Sequence, residues 1–270
     1  MSADDQYDVY AVRYGRRRER DASRLFFLYQ VYDAPDRQLY LDFYFWVIRN
    51  GSRTLLLDCG FNRVTGPVRL GEMLMFHRDP LEQLALLGVR AEDVEQIIVS
   101  HMHFDHIGNL ALFPGAEIVV ARAELDYWTG PYSDRPTISF HIEGPEVAYV
   151  RDAAQHGRVK FIDEFMEVAP GIRVTRVGGH TPGQLITEVR TPNGTIVLTA
   201  DAVHFREEMT DDRPFYAFTD LVDMYGAYEL LRQKMDEPRV WVVSGHDPVE
   251  MERFELVHED CVDLTKPVRD

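Results

Sequence analysis

Ser100-His101-Met102-His103-Phe104-Asp105-His106-Ile107-Gly108-Asn109 stands directly after the apolar run Ile97-Ile98-Val99. An H-x-H-x-D-H pattern would arise in a shuffled chain of this composition roughly once in a thousand trials, so these residues demand a common purpose. Neutral imidazoles and a carboxylate are borderline and hard donors that suit Zn²⁺, and a strand end followed by a tight turn can aim alternate side chains at one point. Three further positions share that setting. His180 follows an apolar stretch and precedes Thr181-Pro182-Gly183, Asp201 follows Ile196-Val197-Leu198-Thr199-Ala200, and His246 follows Val240-Trp241-Val242-Val243-Ser244-Gly245. A lone His or Asp at a strand end is more often a cap or turn residue. Four such sites in one chain point instead to a metal cluster assembled across a sheet edge.

Outward from this centre, residues 54–57 read as a buried strand ending in Asp58-Cys59-Gly60, and residues 95–100 as another. Residues 7–14, 25–32 and 41–48 are rich in aromatic and β-branched side chains and read as strands of a first β-layer, with Asn50-Gly51 as a hairpin turn. Residues 80–87 have helical spacing and stop at Gly88. Strands follow at 117–120 and 158–162, separated by helices near 122–128 and 146–156 and by a Gly-, Pro- and Ser-rich loop at 129–145 long enough for a lid or substrate wall. Further strands read at 172–177, 184–190, 195–199 and 239–243, with Pro192-Asn193-Gly194 as a turn and a helix over 220–235. Two packed sheets covered by helices fit this pattern.

Among 270 residues, 45% are hydrophobic, enough to bury a sizeable core, and no repeat or linker divides the chain, so one domain over 1–270 is expected. Asp and Glu outnumber Lys and Arg by 45 to 29, a net charge of −16 that gives no long-range attraction to nucleic acid. The one basic run, Arg16-Arg17-Arg18-Glu19-Arg20, reads as a solvated turn or strand end. The start, Met1-Ser2-Ala3-Asp4-Asp5, is acidic and unlike a signal sequence, and no stretch is apolar enough to cross a bilayer. A cytoplasmic setting with neither membrane nor nucleic-acid partner is the expectation. Cys59 and Cys261 can form neither a disulfide framework nor a Cys-rich zinc site.

In the order Asp58, His101-x-His103-x-Asp105-His106, His180, Asp201 and His246, the sequence resembles the metallo-β-lactamase-fold hydrolase superfamily over about residues 55–248. The resemblance implies an α/β fold, an αββα sandwich of two mixed β-sheets flanked by helices, with a two-metal site at their shared edge. It implies that His101, His103 and His180 bind the first ion, that Asp105, His106 and His246 bind the second, and that Asp201 bridges them. Asp58 would orient the metal-binding loop from behind. Each ion would then have four protein ligands, and a water between them would become acidic enough to attack an ester carbonyl while Asp105 returns a proton to the leaving oxygen. Two divalent ions are the expected cofactors, Zn²⁺ ahead of Mn²⁺, Fe²⁺ and Co²⁺.

Within the superfamily the sequence is most similar to the N-acyl homoserine lactonase branch, judged by size, the β-rich N-terminus, residues 100–109 and Gly179-His180-Thr181-Pro182-Gly183. His at position 103 departs from the Glu of the diiron flavoprotein branch. The leading expectation is a lactonase opening an N-acyl homoserine lactone, a quorum-quenching activity, or an aromatic or catabolic lactone. A glyoxalase-II-like thioesterase or other ester hydrolase of the same fold is the alternative, and a mononuclear iron dioxygenase for a sulfur substrate comes behind it. The resemblance has one departure: those lactonases carry a Tyr three residues after the bridging Asp, where this chain has His204, which could donate the same hydrogen bond in the right tautomer. Phe61, Met73, Phe76, Trp128, Phe140, His141, Phe205 and Phe215 are the candidate pocket residues. Cys59 is expected beside the metal loop, and His77, His156 and His258 on the surface. The N-terminal β-segment and residues 73–76 read either as a homodimer interface or as a closure over the active site.

Overall fold

The computed structural model of the chain describes residues 5–268; residues 1–4 of the acidic start lie outside them. Fourteen strands among the described residues are β1 (Asp8–Asp21), β2 (Gln38–Arg49), β3 (Thr54–Leu57), β4 (Leu74–Phe76), β5 (Gln96–Ile98), β6 (Glu117–Ala121), β7 (Val159–Ile162), β8 (Phe165–Ala169), β9 (Ile172–Arg176), β10 (Leu185–Thr191), β11 (Gly194–Leu198), β12 (Val240–Val243), β13 (Phe254–His258) and β14 (Cys261–Pro267). They form a nine-stranded sheet in the order β13-β14-β1-β2-β3-β5-β6-β7, with β4 paired to β1, and a five-stranded sheet in the order β12-β11-β10-β9-β8. Both sheets are mixed: β3, β5, β6 and β7 are parallel neighbours in one, and β11 and β12 in the other.

Alternation along the strands explains the layers. Leu55, Leu57 and Ile98 of the larger sheet meet Ile172, Val174, Leu185, Ile196 and Leu198 of the smaller one in an interior between the sheets. Leu56 and Ile97 point the other way, into a core closed by the helices α1 (Pro80–Leu86), α2 (Arg122–Trp128) and α3 (Gly144–Gln155). Val197 and Val242 likewise turn outward onto Met224, Tyr228 and Leu231 of helix α4 (Leu221–Met235), which Asp220 caps by accepting from the Val222 and Asp223 amides. The result is the αββα sandwich.

Two segments depart from the sequence reading. Residues 25–32 form short 3₁₀ turns, not a strand: Leu28 and Asp33 adopt left-handed conformations that break an extended run, and Leu25, Phe26 and Tyr29 are instead buried in the core. The basic run is no solvated turn but the second half of β1, where Arg16 pairs with the fully buried Asp42 and only Arg18 and Glu19 are exposed. His77 is not a surface residue either, because its Nδ1 lies 2.6 Å from the buried carboxylate of Asp260. The 129–145 loop contains a turn of helix at Pro136–Ser139 and ends where α3 begins. No helix of the described residues is long and apolar enough to cross a membrane.

Strand direction positions the site. β3 and β5 run parallel, and β9, β11 and β12 share one direction because β10 is antiparallel to both of its neighbours. Their carboxyl ends therefore open on one edge, where a hydrogen bond from the Leu185 amide to the Ser100 carbonyl (2.9 Å) joins the sheets.

Candidate metal centre

Each ligand-type side chain sits on the loop just past a strand end: Asp58 after β3, His101 to His106 after β5, His180 after β9, Asp201 after β11 and His246 after β12. His101, His103, His180 and Asp201 bring one donor atom each within 4.8 Å of one another, and so do Asp105, His106 and His246. Asp201 joins the two groups. Its Oδ1 lies 3.2 Å from His106 Nε2 and 3.0 Å from His246 Nε2, while its Oδ2 lies 3.5 Å from His180 Nε2 and 3.8 Å from His101 Nε2.

The far sides of the imidazoles fix which nitrogen faces inward. His106 Nδ1 is 2.7 Å from Asp58 Oδ2, His180 Nδ1 donates to the Ala217 carbonyl (2.8 Å), His246 Nδ1 to the Asp42 carbonyl (2.6 Å), and His101 Nδ1 sits 3.0 Å from Ser100 Oγ. Those bonds leave Nε2 as the inward donor on all four rings. His101 Nε2, His106 Nε2 and Asp201 Oδ1 are enclosed in protein with no hydrogen-bond partner, a costly arrangement unless a cation receives them. Burial, reinforced by neighbouring imidazoles, holds His101, His103 and His180 well below the usual imidazole range and keeps them neutral. At His106 burial acts the same way, but the carboxylates of Asp201, Asp58 and Asp105 outweigh it and raise the ring. Burial would raise Asp201, yet the surrounding histidines hold it far below the usual carboxylate range. The donor set fits two cations that would take over this charge, one per group with Asp201 between them.

Behind the donors stand further carboxylates that support the ligand residues and their loops. Asp58, at a positive φ, accepts the Ser100 amide (2.8 Å) and hydroxyl (2.7 Å). Glu124 of α2 accepts the Met102 amide (2.8 Å), the Gly183 amide (2.9 Å) and Trp128 Nε1 (2.6 Å), so it ties the loop of His101 and His103 to the loop of His180. A Cβ on Gly183 would stand 2.6 Å from the Glu124 backbone nitrogen, so only glycine allows that approach. Glu208 accepts the amides of His204 and Phe205, and Glu250 those of the Ser244 amide and hydroxyl beside His246. Sequence reasoning missed Glu124, Glu208 and Glu250. Cys59 is buried beside the metal loop, its amide bonded to the His106 carbonyl (2.8 Å).

The profile of the metallo-beta-lactamase superfamily matches residues 44–246, which span every one of these donors. The chain belongs to the metallo-beta-lactamase superfamily. An N-acyl homoserine lactonase from Bacillus cereus is 27% identical over 233 residues, 82% of this chain and 86% of that protein. Two solved structures share the fold: an N-acyl homoserine lactone hydrolase with the product N-hexanoyl-L-homoserine at its catalytic metal center (TM-score 0.71, 22% identity, 93% of this chain and 97% of that one), and AidC, a dizinc quorum-quenching lactonase (TM-score 0.70, 19% identity, 89% and 87%).

Over the candidate metal centre lies a cavity of about 400 Å³, with a second of about 640 Å³ adjoining it across His103, His141 and His180. Met73, Phe140, His141, His204 and Phe215 line the first, and Trp128 the second. Phe61, Phe76 and Phe205 do not reach either wall. Phe61 is fully buried against Tyr14, Phe43 and Phe76, and Phe205 packs on Phe26, because the core beneath the cavity needed the same aromatic volume that the sequence offered to a pocket. Met73 lines the cavity from the turn just before β4, which pairs with β1. His204 is buried, its ring stacked on Phe215 at 3.7 Å. Its Nε2 is 3.1 Å from Asp201 Oδ2 and its Nδ1 3.2 Å from Glu208 Oε1, both off the line a hydrogen bond needs. Burial would lower this ring, but the two carboxylates win and push it up to about 9.

Proposed function

We propose that this chain is a dinuclear metallohydrolase that opens a lactone ring. The observation that carries the reading is Asp201, whose two oxygens face two separate histidine groups; a mononuclear dioxygenase would have no use for the second group. Lactones are favoured over other esters by the lactonase from Bacillus cereus and the product-bound lactone hydrolase to which the chain is similar.

His101, His103 and His180 would hold one ion, Asp105, His106 and His246 the other, with Asp201 shared and Asp58 steadying His106. Zinc is the ion assigned, from the imidazole-rich donor set and the dizinc neighbour. Two divalent ions held there would supply an acidified water and a Lewis acid for the ester carbonyl. The protein does the rest. Asp105, which lines the cavity and whose backbone carbonyl accepts from the Tyr14 hydroxyl (2.7 Å), would return a proton to the leaving oxygen. His204, which lines the cavity between Asp201 and Glu208 and stacks on Phe215, would donate to the carbonyl oxygen. The whole chain acts as one unit, without nucleic-acid or membrane partner, in the cytoplasm.

A pH-indicator assay on short and long N-acyl homoserine lactones and aromatic lactones tests this reading. Metal-loaded protein should release acid from at least one class, and chelated protein whose fold is verified by circular dichroism should release none. Two bound metals with no acid release from any lactone would transfer the reading to thioesters or other esters.

A further inference from the structure

β1 carries arginines on both of its faces, and the two faces treat them differently. Arg13 and Arg16 are neutralised by Asp42 and Asp260. Arg17 and Arg20 line the cavity over the metal centre, and among the described residues neither forms an ion pair. Residues three apart on a regular strand point to opposite faces. Here Arg17 stands opposite Leu41 and Arg20 opposite Leu39, three steps on β1 against two on β2, so a bulge at Arg18 and Glu19 returns both guanidinium stems to the cavity side.

Both side chains are half-buried, and Arg17 Nε is enclosed without a hydrogen-bond partner. Burial and then the neighbouring Arg20 pull the Arg17 guanidinium down from its ordinary value, with only Tyr216 and Asp105 acting against them. Arg69, the third guanidinium at this cavity, is occupied: it pairs with Glu143 and donates to the carbonyls of Phe140 and Ile142. A chain with net charge −16 has ample carboxylates to place beside Arg17 and Arg20, yet among the described residues none stands within ion-pair distance of either; Asp105, on the same cavity, acts on Arg17 only from farther away, and Tyr216 faces it as a neutral partner. Desolvated cations left unpaired on the wall of a reactive cavity are costly unless a ligand brings the counter-charge.

We infer that the substrate carries a carboxylate away from its scissile ester and that Arg17 and Arg20 receive it. A planar guanidinium fork matches a carboxylate edge to edge, whereas a neutral acyl chain against this wall would leave both cations desolvated and unanswered. The substrate class is thus an anionic lactone. This inference rests on the lactone reading for the reacting group, but the anion site stands on its own residues.

The test compares 5-oxotetrahydrofuran-2-carboxylate with its neutral carboxamide as substrates of the metal-loaded protein, and repeats both with Arg17→Gln/Arg20→Gln. A glutathione thioester serves as a third substrate, and calorimetry with the ring-opened product 2-hydroxyglutarate measures binding apart from turnover. Metal content and melting temperature report whether the variant is intact, and Arg20→Gln alone serves if the double variant fails to fold. The expected result is a kcat/KM at least about tenfold higher for the carboxylate, a ratio that falls to about one in the variant, and weaker 2-hydroxyglutarate binding there. Hydrolysis of both lactones with no preference, or with a preference the variant keeps, overturns the anion site and leaves the lactonase reading intact. Hydrolysis of the thioester alone, lost in the variant with 2-hydroxyglutarate binding, overturns the lactone reading and supports the anion site. Turnover of none of the three with product binding indifferent to the variant overturns both.

Discussion

The floor of the cavity and its wall are built on opposite terms. On the floor, His101, His180, Asp201 and His246 are buried, the outer nitrogens of the three imidazoles are bonded, and the loops that carry these residues are tied by Asp58, Glu124, Glu208 and Glu250, each with two or more donors. On the wall, Phe140 is 65% exposed and Met73 42%, and just past the loop that carries Phe140 the half-buried carboxylate of Glu146 receives, among the described residues, only Asn62 Nδ2 (3.1 Å) while its Oε2 is enclosed and unpartnered. The difference teaches where chemistry and selectivity reside. A metal site needs donors fixed to a fraction of an ångström, which requires redundant support; a substrate wall needs shape, which aromatic side chains on loops supply.

Removing the shared ligand should break the floor outright. Asp201→Ala is expected to lose both metals, by elemental analysis, and at least about a thousandfold in kcat/KM; a variant that keeps two metals would refute Asp201 as their bridge. Next comes the support. Glu124→Ala leaves three buried donors unanswered and is expected to cost about 4 kcal/mol in denaturant unfolding, with metal affinity weakened about tenfold or more. A loss under 1 kcal/mol would show the floor to be less dependent on its ties than the geometry says. His204 stands between floor and wall. His204→Ala should retain both metals and lower kcat about a hundredfold, and an unchanged kcat would relegate the ring to packing against Phe215.

The smallest effect belongs to the wall. Burial first, and then the charge of Glu143, raise Glu146 to about 8 from an ordinary 4.5, against the opposing pull of Arg69 and Asn62. The folded state therefore holds a proton that the unfolded chain gives up between pH 4.5 and 8, so stability falls as pH rises through that window. Glu146→Gln should raise the melting temperature by several degrees at pH 8 and leave it nearly unchanged at pH 4. An equal shift at both values would mean that the carboxyl is not buried as described.

The donors were legible because each follows an apolar strand directly, and strand ends are among the places where sequence and position in space coincide. The sandwich was legible for the same reason. Glu124, Glu208 and Glu250 were not, since a glutamate on a short helix looks the same whether it faces water or a buried amide. Phe61 and Phe205 misled because an aromatic beside a motif can serve core or cavity equally. Residues 25–32 have the composition of a strand, but left-handed residues at 28 and 33 are invisible in Leu and Asp. Arg17 was read with its charged neighbours as solvated, and only the bulge in β1 reveals which of them turn inward. The pairing of β13 with β14 escaped because Glu255, Asp260 and Asp263 interrupt the apolar pattern.

The seam between the sheets carries one last consequence. The larger sheet supplies His101, His103, Asp105 and His106, and the smaller supplies His180, Asp201 and His246, so neither donor group is complete on one sheet. Ions bound there would act as rivets, adding their binding free energy to the docking of two half-proteins rather than to either half. Chelation should therefore loosen hydrogen-exchange protection first at Leu185 and Ser100, where the layers meet, before the strands within each sheet begin to open.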